Sequence, residues 1–381
     1  MNEKNTNIIK TFLFLGLLGL MIIPAFQKKF KIFEEEPLKG AIVDPIKPSF
    51  SLENWWEGSY QDSVQTYLKE TAGFRPSLVK IHNQIHYWFY NVAVANGVII
   101  GNEGYLYEEN YIKAYLGRDY VGRTAIQEKV DKMVAISDTL EKLDKSLIIL
   151  FAPGKASFYP EYIPDRFNPY QKDTTNYETY KKIISKTDLH FLDFHQWFRS
   201  MKTTSPYPLM PKTGIHWSKY GEVLAADSLL NYLESICSCK YPNLVIDTVN
   251  KSTEMMDTDD DIEDGMNLFF NIPDLEMGYP AIHKETSGTE ANLIVSTVAD
   301  SYFWGVYNWG LSRDYFNQGQ FWYYNEQIYQ EGEEPINPKD IDVRKEVEKS
   351  DVIILLSTDA NLYKFAFGFI DQLYEAYYPS K

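Results

Sequence analysis

The pattern of apolar and polar positions changes character three times along the chain. Residues 11–26 (TFLFLGLLGLMIIPAF) carry no charge at all, about 24 Å of helix at ~1.5 Å per residue and slightly short of a bilayer core. The exit Pro24-Ala25-Phe26-Gln27-Lys28 offers no small-residue cleavage site, so the run reads as an uncleaved anchor. Lys4 and Lys10 precede it, and Lys28, Lys29 and Lys31 follow it, which leaves the charge bias nearly even. A short tail before a long body predicts a signal-anchor with the body outside the cytoplasm. Residues 30–48, with Glu34-Glu35-Glu36 and three prolines, read as a tether. Pro76 then opens a helix in which Leu78, Ile81, Ile85, Phe89 and Val92 recur on one face.

Beyond residue 96 the period alternates. Val98-Ile99-Ile100, a Gly101-to-Gly104 turn and Tyr105-Leu106-Tyr107 read as two short strands. Residues 124–143 carry a helical stripe of Ile126, Val130, Met133, Ser137 and Leu140. The runs 146–151 (SLIILF), 293–297 (LIVST) and 352–356 (VIILL) are continuous and apolar, as strands buried on both faces are. A further strand is expected near Phe191-Leu192-Asp193. Ser218 is placed to cap a helix to residue 236, with Val223, Ala226, Leu230 and Leu233 inward. Strands alternating with helices predict an α/β fold, a three-layer α/β/α domain with a mostly parallel sheet. The expected organisation is an anchor over 1–31, a tether and helical lead-in over 32–95, and the α/β domain over 96–381. The acidic stretch 257–264 fails the calcium-loop pattern, because Ile262 and Leu268 occupy its glycine and glutamate positions; it reads as a solvated loop.

Composition narrows the functional classes. Of 381 residues, 53 are acidic and 37 basic, a formal net charge of −16, which argues against broad binding to nucleic acid. Cys237 and Cys239, the only two cysteines, are too close for a usual zinc pair and read as inert thiols at a helix end. There is no H-E-x-x-H, no phosphate-binding G-x-x-x-x-G-K-[ST] and no G-x-G-x-x-G. Neither a metal nor a cofactor is expected.

Three loops sit where open α/β sheets place ligands, just past strand ends. They are Ala152-Pro153-Gly154-Lys155 with Tyr159, Lys212-Thr213-Gly214-Ile215-His216-Trp217-Ser218, and Val298-Ala299-Asp300-Ser301. A serine on a strand-exit turn and a histidine on a second loop are the minimum for a nucleophile and its general base. Ser301 and His216 are therefore expected within about 3–4 Å of each other.

The order of these pieces resembles the SGNH-hydrolase-like domain of the alginate O-acetyltransferase family, of the AlgJ/AlgX type. That family places an Asp-x-His-Trp element ahead of a Gly-Asp-Ser-type serine. Gly214-Ile215-His216-Trp217 and Ala299-Asp300-Ser301 resemble the two elements, and Pro153-x-Lys155 with Tyr159-Pro160, Gly101-x-x-Gly104-Tyr105-Leu106 and Gly73-Phe74-Arg75 resemble further features. One position departs: where the family carries the triad aspartate, this chain has Gly214. Three readings follow. Another carboxylate orients His216, with Asp193 the nearest candidate by its strand-end position; a backbone carbonyl does so; or the domain binds polysaccharide without catalysis. The backbone N–H of Ser301, with Gly154 or Asn308, is nominated for the oxyanion. Asp300, Lys155, Tyr159 and Trp217 are nominated around the substrate. The resemblance implies an O-acetyltransferase anchored in the inner membrane, its soluble domain on the periplasmic or extracellular side. It would take acetyl groups from a multispanning membrane acyltransferase and pass them to an exported polysaccharide. A polysaccharide-binding or assembly protein and a carbohydrate acetyl esterase are the alternatives.

Overall fold

In the computed structural model, which describes residues 3–40, 45–167 and 171–379, ten strands form three separate sheets. They are β1 (Val98–Ile100), β2 (Leu106–Glu108), β3 (Ser146–Ala152), β4 (His190–Asp193), β5 (Asn243–Ser252), β6 (Met277–Glu285), β7 (Val295–Ala299), β8 (Phe321–Tyr323), β9 (Gln327–Tyr329) and β10 (Val352–Thr358). The central sheet has the order β4-β3-β10-β7-β8-β9. Every pairing in it is parallel except the β8–β9 edge, which is antiparallel. Strands β3 and β10 lie in register from Ser146↔Val352 to Ala152↔Thr358 at its centre, where both faces are covered. That burial is why both read as unbroken apolar runs.

Alternation within those runs sorts the side chains by face. Leu147, Ile149, Phe151, Ile353 and Leu355 pack on one side with Ile126, Val130 and Met133 of the helix Arg123–Glu141, Ile183 of Asn176–Ile184, and Phe369 and Leu373 of Phe369–Tyr377. Leu150, Ile354 and Leu356 face the other way, toward Phe194, Ala225, Leu229, Phe303 and Val306. These belong to the helices Phe194–Met201, Lys219–Cys237 and Phe303–Asn308. The result is the expected three-layer α/β/α arrangement around a mostly parallel sheet.

Two antiparallel pairs stand outside it. The β1–β2 hairpin was legible; the β5–β6 ribbon was not, because most of its side chains are exposed or half-exposed and leave no apolar face to read. Cys237 and Cys239, expected as free thiols, form a disulfide with Cα atoms 5.1 Å apart. The left-handed Ser238 (φ 52°) ends the helix between them and folds the chain back.

The chain divides into two compact units, Met1–Asn96 with Glu263–Asn271, and Gly97–Ile262 with Ile272–Lys381. The first holds the apolar helix Glu3–Phe30, whose segment Asn7–Phe30 has a mean hydropathy of 2.2 and is long enough to cross a membrane. It also holds the helices Leu52–Glu57, Ser59–Glu70 and Arg75–Ile85. Part of the expected tether, residues 41–44, lies outside the described residues.

Candidate active site

Strand β7 is buried from end to end, and the chain leaves it through Asp300 and Ser301. Asp300 is fully buried. Its Oδ2 accepts from Thr358 N (2.8 Å), Thr358 Oγ1 (2.9 Å) and Asn361 Nδ2 (2.9 Å), and its Oδ1 from Tyr302 N (3.2 Å). The exit turn of β7 is thereby locked to the exit of β10. Ser301, one residue on, is only half-buried.

The loop before the helix Lys219–Cys237 brings His216 to it. His216 Nε2 lies 2.9 Å from Ser301 Oγ, and its Nδ1 lies 2.6 Å from Asp261 Oδ2. The other Asp261 oxygen accepts the backbone N–H of Ile215 at 2.8 Å. A carboxylate on Nδ1 fixes the tautomer with its proton there, so Nε2 is free to accept the serine proton. The loop itself is held from several sides. Ser218 caps the helix by accepting from Gly221 N (3.1 Å) and donates to Pro208 O (2.7 Å). Tyr302 donates to Ile215 O at 2.6 Å, and its ring lies 5.0 Å from the imidazole. Lys155 reaches in from past β3 and donates to Lys212 O (2.9 Å) and to Gly214 O.

Gly214 explains the departure from the resembled motif. A Cβ there would lie 2.5 Å from Thr258 O and 2.7 Å from Asp259 O. The backbone of the acidic stretch occupies the space that an aspartate at 214 would need, and the same stretch delivers Asp261 to the imidazole three residues later. The stretch is not the solvated loop its acidity predicts, since Asp259 and Ile262 within it are buried. The glycine at 214, followed by an acidic run downstream, was the available signal.

The electrostatics follow from burial opposed by charge. Burial pushes the His216 pKa down, but Asp261, hydrogen-bonded to it, and more distant Asp300 and Glu222 outweigh that, so it stands above its ordinary value. Burial lowers Lys155 to about 7 against the pull of Asp261, Asp274 and Asp259. Burial raises Glu222 to about 7 and Asp259 to about 8. Glu108, at the end of β2, is raised by burial and by Asp261. The Tyr324 phenol is raised to about 12 by burial and by Asp300, with Ser301 acting to lower it; sequence reading did not single it out.

The remaining nominated residues lie away from the Ser301–His216 contact or are buried beneath it. Asp193 is not beside His216. It caps the helix Phe194–Met201 through Gln196 N (2.9 Å), accepts from Tyr177 Oη (2.9 and 3.0 Å) and pairs with Lys181 (2.6 Å), so its oxygens are spoken for at the β4 edge. Gly154 packs against the Asp359 carboxylate, where a Cβ would collide, and an anion beside it would be repelled. Asn308 is exposed at the far end of the helix Phe303–Asn308, roughly 10 Å along its axis from Ser301 at ~1.5 Å per residue. Tyr159 donates to Met210 O (3.1 Å) and its carbonyl accepts from Tyr107 Oη (2.6 Å), which braces the chain ahead of the histidine loop. Trp217 is buried between Phe198 and Tyr302, out of reach of a sugar ring. Lys155 and Asp300 are wholly buried, and their hydrogen bonds hold the loops on either side of Ser301 and His216. Among the described residues no group of histidines, cysteines and carboxylates could hold a metal ion.

Residues 98–238 match the family model described as the SGNH hydrolase-like domain of the acetyltransferase AlgX. The match includes Lys155 and His216 and stops before Asp261 and Ser301. No curated protein matches the chain. Among solved structures, the O-acetyltransferase domain of Pseudomonas putida AlgJ is 18% identical with a TM-score of 0.45, over 73% of this chain and 99% of that one. Pseudomonas aeruginosa AlgX is 14% identical with a TM-score of 0.42, over 72% and 67%. Bacillus cereus PatB1 is 11% identical with a TM-score of 0.40, over 65% and 93%. Across residues 98–238 the chain is therefore similar to the SGNH hydrolase-like domain of the acetyltransferase AlgX.

Proposed function

We propose that this protein is a membrane-anchored O-acetyltransferase that works through an acetyl-serine intermediate. The observation that carries the reading is the unbroken chain Asp261–His216–Ser301, with contacts of 2.6 and 2.9 Å. In the first step His216 Nε2 takes the Ser301 proton while Oγ bonds to the acetyl carbonyl carbon. Collapse of the tetrahedral adduct expels the donor's leaving group, which takes that proton back from Nε2. In the second step a sugar hydroxyl gives its proton to Nε2 and attacks the acetyl-serine, and Ser301 leaves protonated. Asp261 stabilises the imidazolium in both halves. The Ser301 N–H is the first donor to the oxyanion, a contact worth a few kcal/mol in this class of site.

The acceptor is a polysaccharide of the alginate type and the donor a multispanning membrane acyltransferase, both on the family resemblance. Half-buried Trp304, Tyr323 and Tyr329, with ring centroids 4.7–5.4 Å from Trp304, form an aromatic cluster starting three residues past Ser301. Such a surface suits a sugar ring and keeps water from the acyl-enzyme. The helix Glu3–Phe30 anchors the protein in the inner membrane, with the catalytic unit on the periplasmic side.

The test is acetyl transfer from an aryl acetate to the full-length protein, followed by intact mass. The parent should gain one acetyl group and Ser301→Ala none; equal aryl release from both would end the serine mechanism. A soluble sugar acceptor that suppresses acetate release in favour of sugar ester separates a transferase from an esterase. A parent that never acylates is left with the binding-protein reading.

A further inference from the structure

The helix Arg75–Ile85, continued by the single turn His86–Tyr90, is inside out. Leu78, Ile81, Ile85 and Phe89 form one stripe by helical spacing, and they are 54%, 44%, 45% and 75% exposed. The residues it buries are polar: Asn83 and Gln84 are 4% and 3% exposed. Asn83 Nδ2 donates to Met266 O at 2.7 Å, and Gln84 Oε1 accepts from Phe269 N and Phe270 N at 3.1 and 2.8 Å. Trp88 is exposed beside the stripe and stacks on exposed Phe270 at 5.6 Å. A helix in water turns its apolar face inward, so this face is built for an apolar surrounding.

The same unit fixes where that surrounding is. The end of the apolar helix Glu3–Phe30 packs directly on the elbow that starts the inverted helix. Gly73 is a glycine because a Cβ would lie 2.2 Å from Pro24 O and 2.6 Å from Lys28 N. Lys28 Nζ donates to Thr71 Oγ1, and the Phe33 and Phe74 rings lie 5.9 Å apart. The elbow thus sits at the level where the spanning segment leaves the hydrocarbon. Aromatic side chains such as Trp88 and Phe89 beside an aliphatic stripe are the composition of a helix lying in the headgroup–acyl boundary.

We infer that the stripe Leu78–Ile81–Ile85–Phe89 lies in the bilayer interface next to the anchor, and so sets the unit's orientation on the membrane. This rests on the anchor reading above, and the experiment separates the two. The full-length protein, on a Cys237→Ser/Cys239→Ser background, is labelled with an environment-sensitive fluorophore at Leu15→Cys, Ile85→Cys or Lys349→Cys. Each is reconstituted in phosphatidylethanolamine–phosphatidylglycerol vesicles with or without brominated lipid. The expected result is a blue-shifted emission at position 85, quenched by brominated lipid as strongly as at position 15, with position 349 unaffected. Quenching at 15 but not at 85 overturns the inference and leaves the anchor standing. A blue shift at 85 without quenching also overturns it, because protein and not lipid then covers the stripe. No quenching at 15 removes the anchor, and position 85 then decides the interfacial contact by itself.

Discussion

Replacing Asp261 with asparagine keeps its volume and removes its charge, and the hydrogen bonds decide how the amide must sit. The Ile215 N–H needs an acceptor, so the amide oxygen takes the place of Oδ1. The NH2 group then faces His216 Nδ1, which sits 2.6 Å from the second oxygen in the parent. An NH2 donor obliges Nδ1 to accept, so the imidazole proton moves to Nε2, which points at Ser301 Oγ. A protonated Nε2 is no base. In serine proteases the same exchange lowers kcat about 10⁴-fold, or about 5.5 kcal/mol of transition-state stabilisation, and we expect a loss of that order in Asp261→Asn. Asp261→Ala imposes no wrong tautomer and should retain more activity than Asp261→Asn, while losing about 1–3 kcal/mol of stability through the orphaned Ile215 N–H. The assay is single-turnover acetylation of Ser301 by an aryl acetate, read as phenolate release. An unchanged rate in Asp261→Asn, or a slower rate in the alanine variant than in the asparagine one, would refute the reasoning.

His216 must be neutral to act and is held above its ordinary value, so the parent's acylation rate should rise with pH along a limb centred above 6.5. That limb should move to lower pH in Asp261→Ala, as pH–rate profiles of the two would show. The same raised pKa stabilises the fold: its contribution is complete below the unfolded value of about 6.5 and is lost as pH rises through the folded one, a dependence that chemical denaturation against pH would register. Gly214→Asp, which restores the family's motif on paper, should lower both activity and Tm, because its Cβ meets the carbonyls of Thr258 and Asp259; an increase in acetyl release would show that the stretch yields. Lys155→Met leaves the carbonyls of Lys212 and Gly214 without their donor, each worth about 1–3 kcal/mol when buried and unpaired. It should lower kcat and thermal stability with KM little changed.

The elements that were legible in the sequence are those whose burial is one-sided or complete. Strands β3 and β10 announced themselves because each carries an unbroken apolar run, Leu147 to Ala152 and Val352 to Leu356, and the helix Arg123–Glu141 because its inward stripe repeats. Strand β7 was displaced by two residues: Leu293 and Ile294 look like strand, yet pairing with β10 begins at Val295. Strands β8 and β9, three residues each, are too short for a period to develop. The stripe of the helix Arg75–Ile85 was read correctly as a stripe, but a period does not say whether water, protein or lipid lies against it. At the site, Ser301 and His216 could be found because each lies on a loop at a strand end or helix start. Asp261 could not, because its partner is 45 residues away and only the ribbon β5–β6 and the cramped space at Gly214 bring them together.

That separation has a consequence for assembly. An acid two residues from its histidine is in place as soon as the turn forms. Here the pair closes a loop of 45 residues, which by chain statistics costs about 2–3 kcal/mol more entropy than the local arrangement. The contact between Asp261 and His216 can be gained only after the intervening helix Lys219–Cys237 has packed and β5 has paired with β6, which makes it a late event on a path where local contacts come first. In a refolding experiment the sheet's circular dichroism should return before acetyl release does. The interval between them would be the time the chain takes to bring its distant carboxylate home.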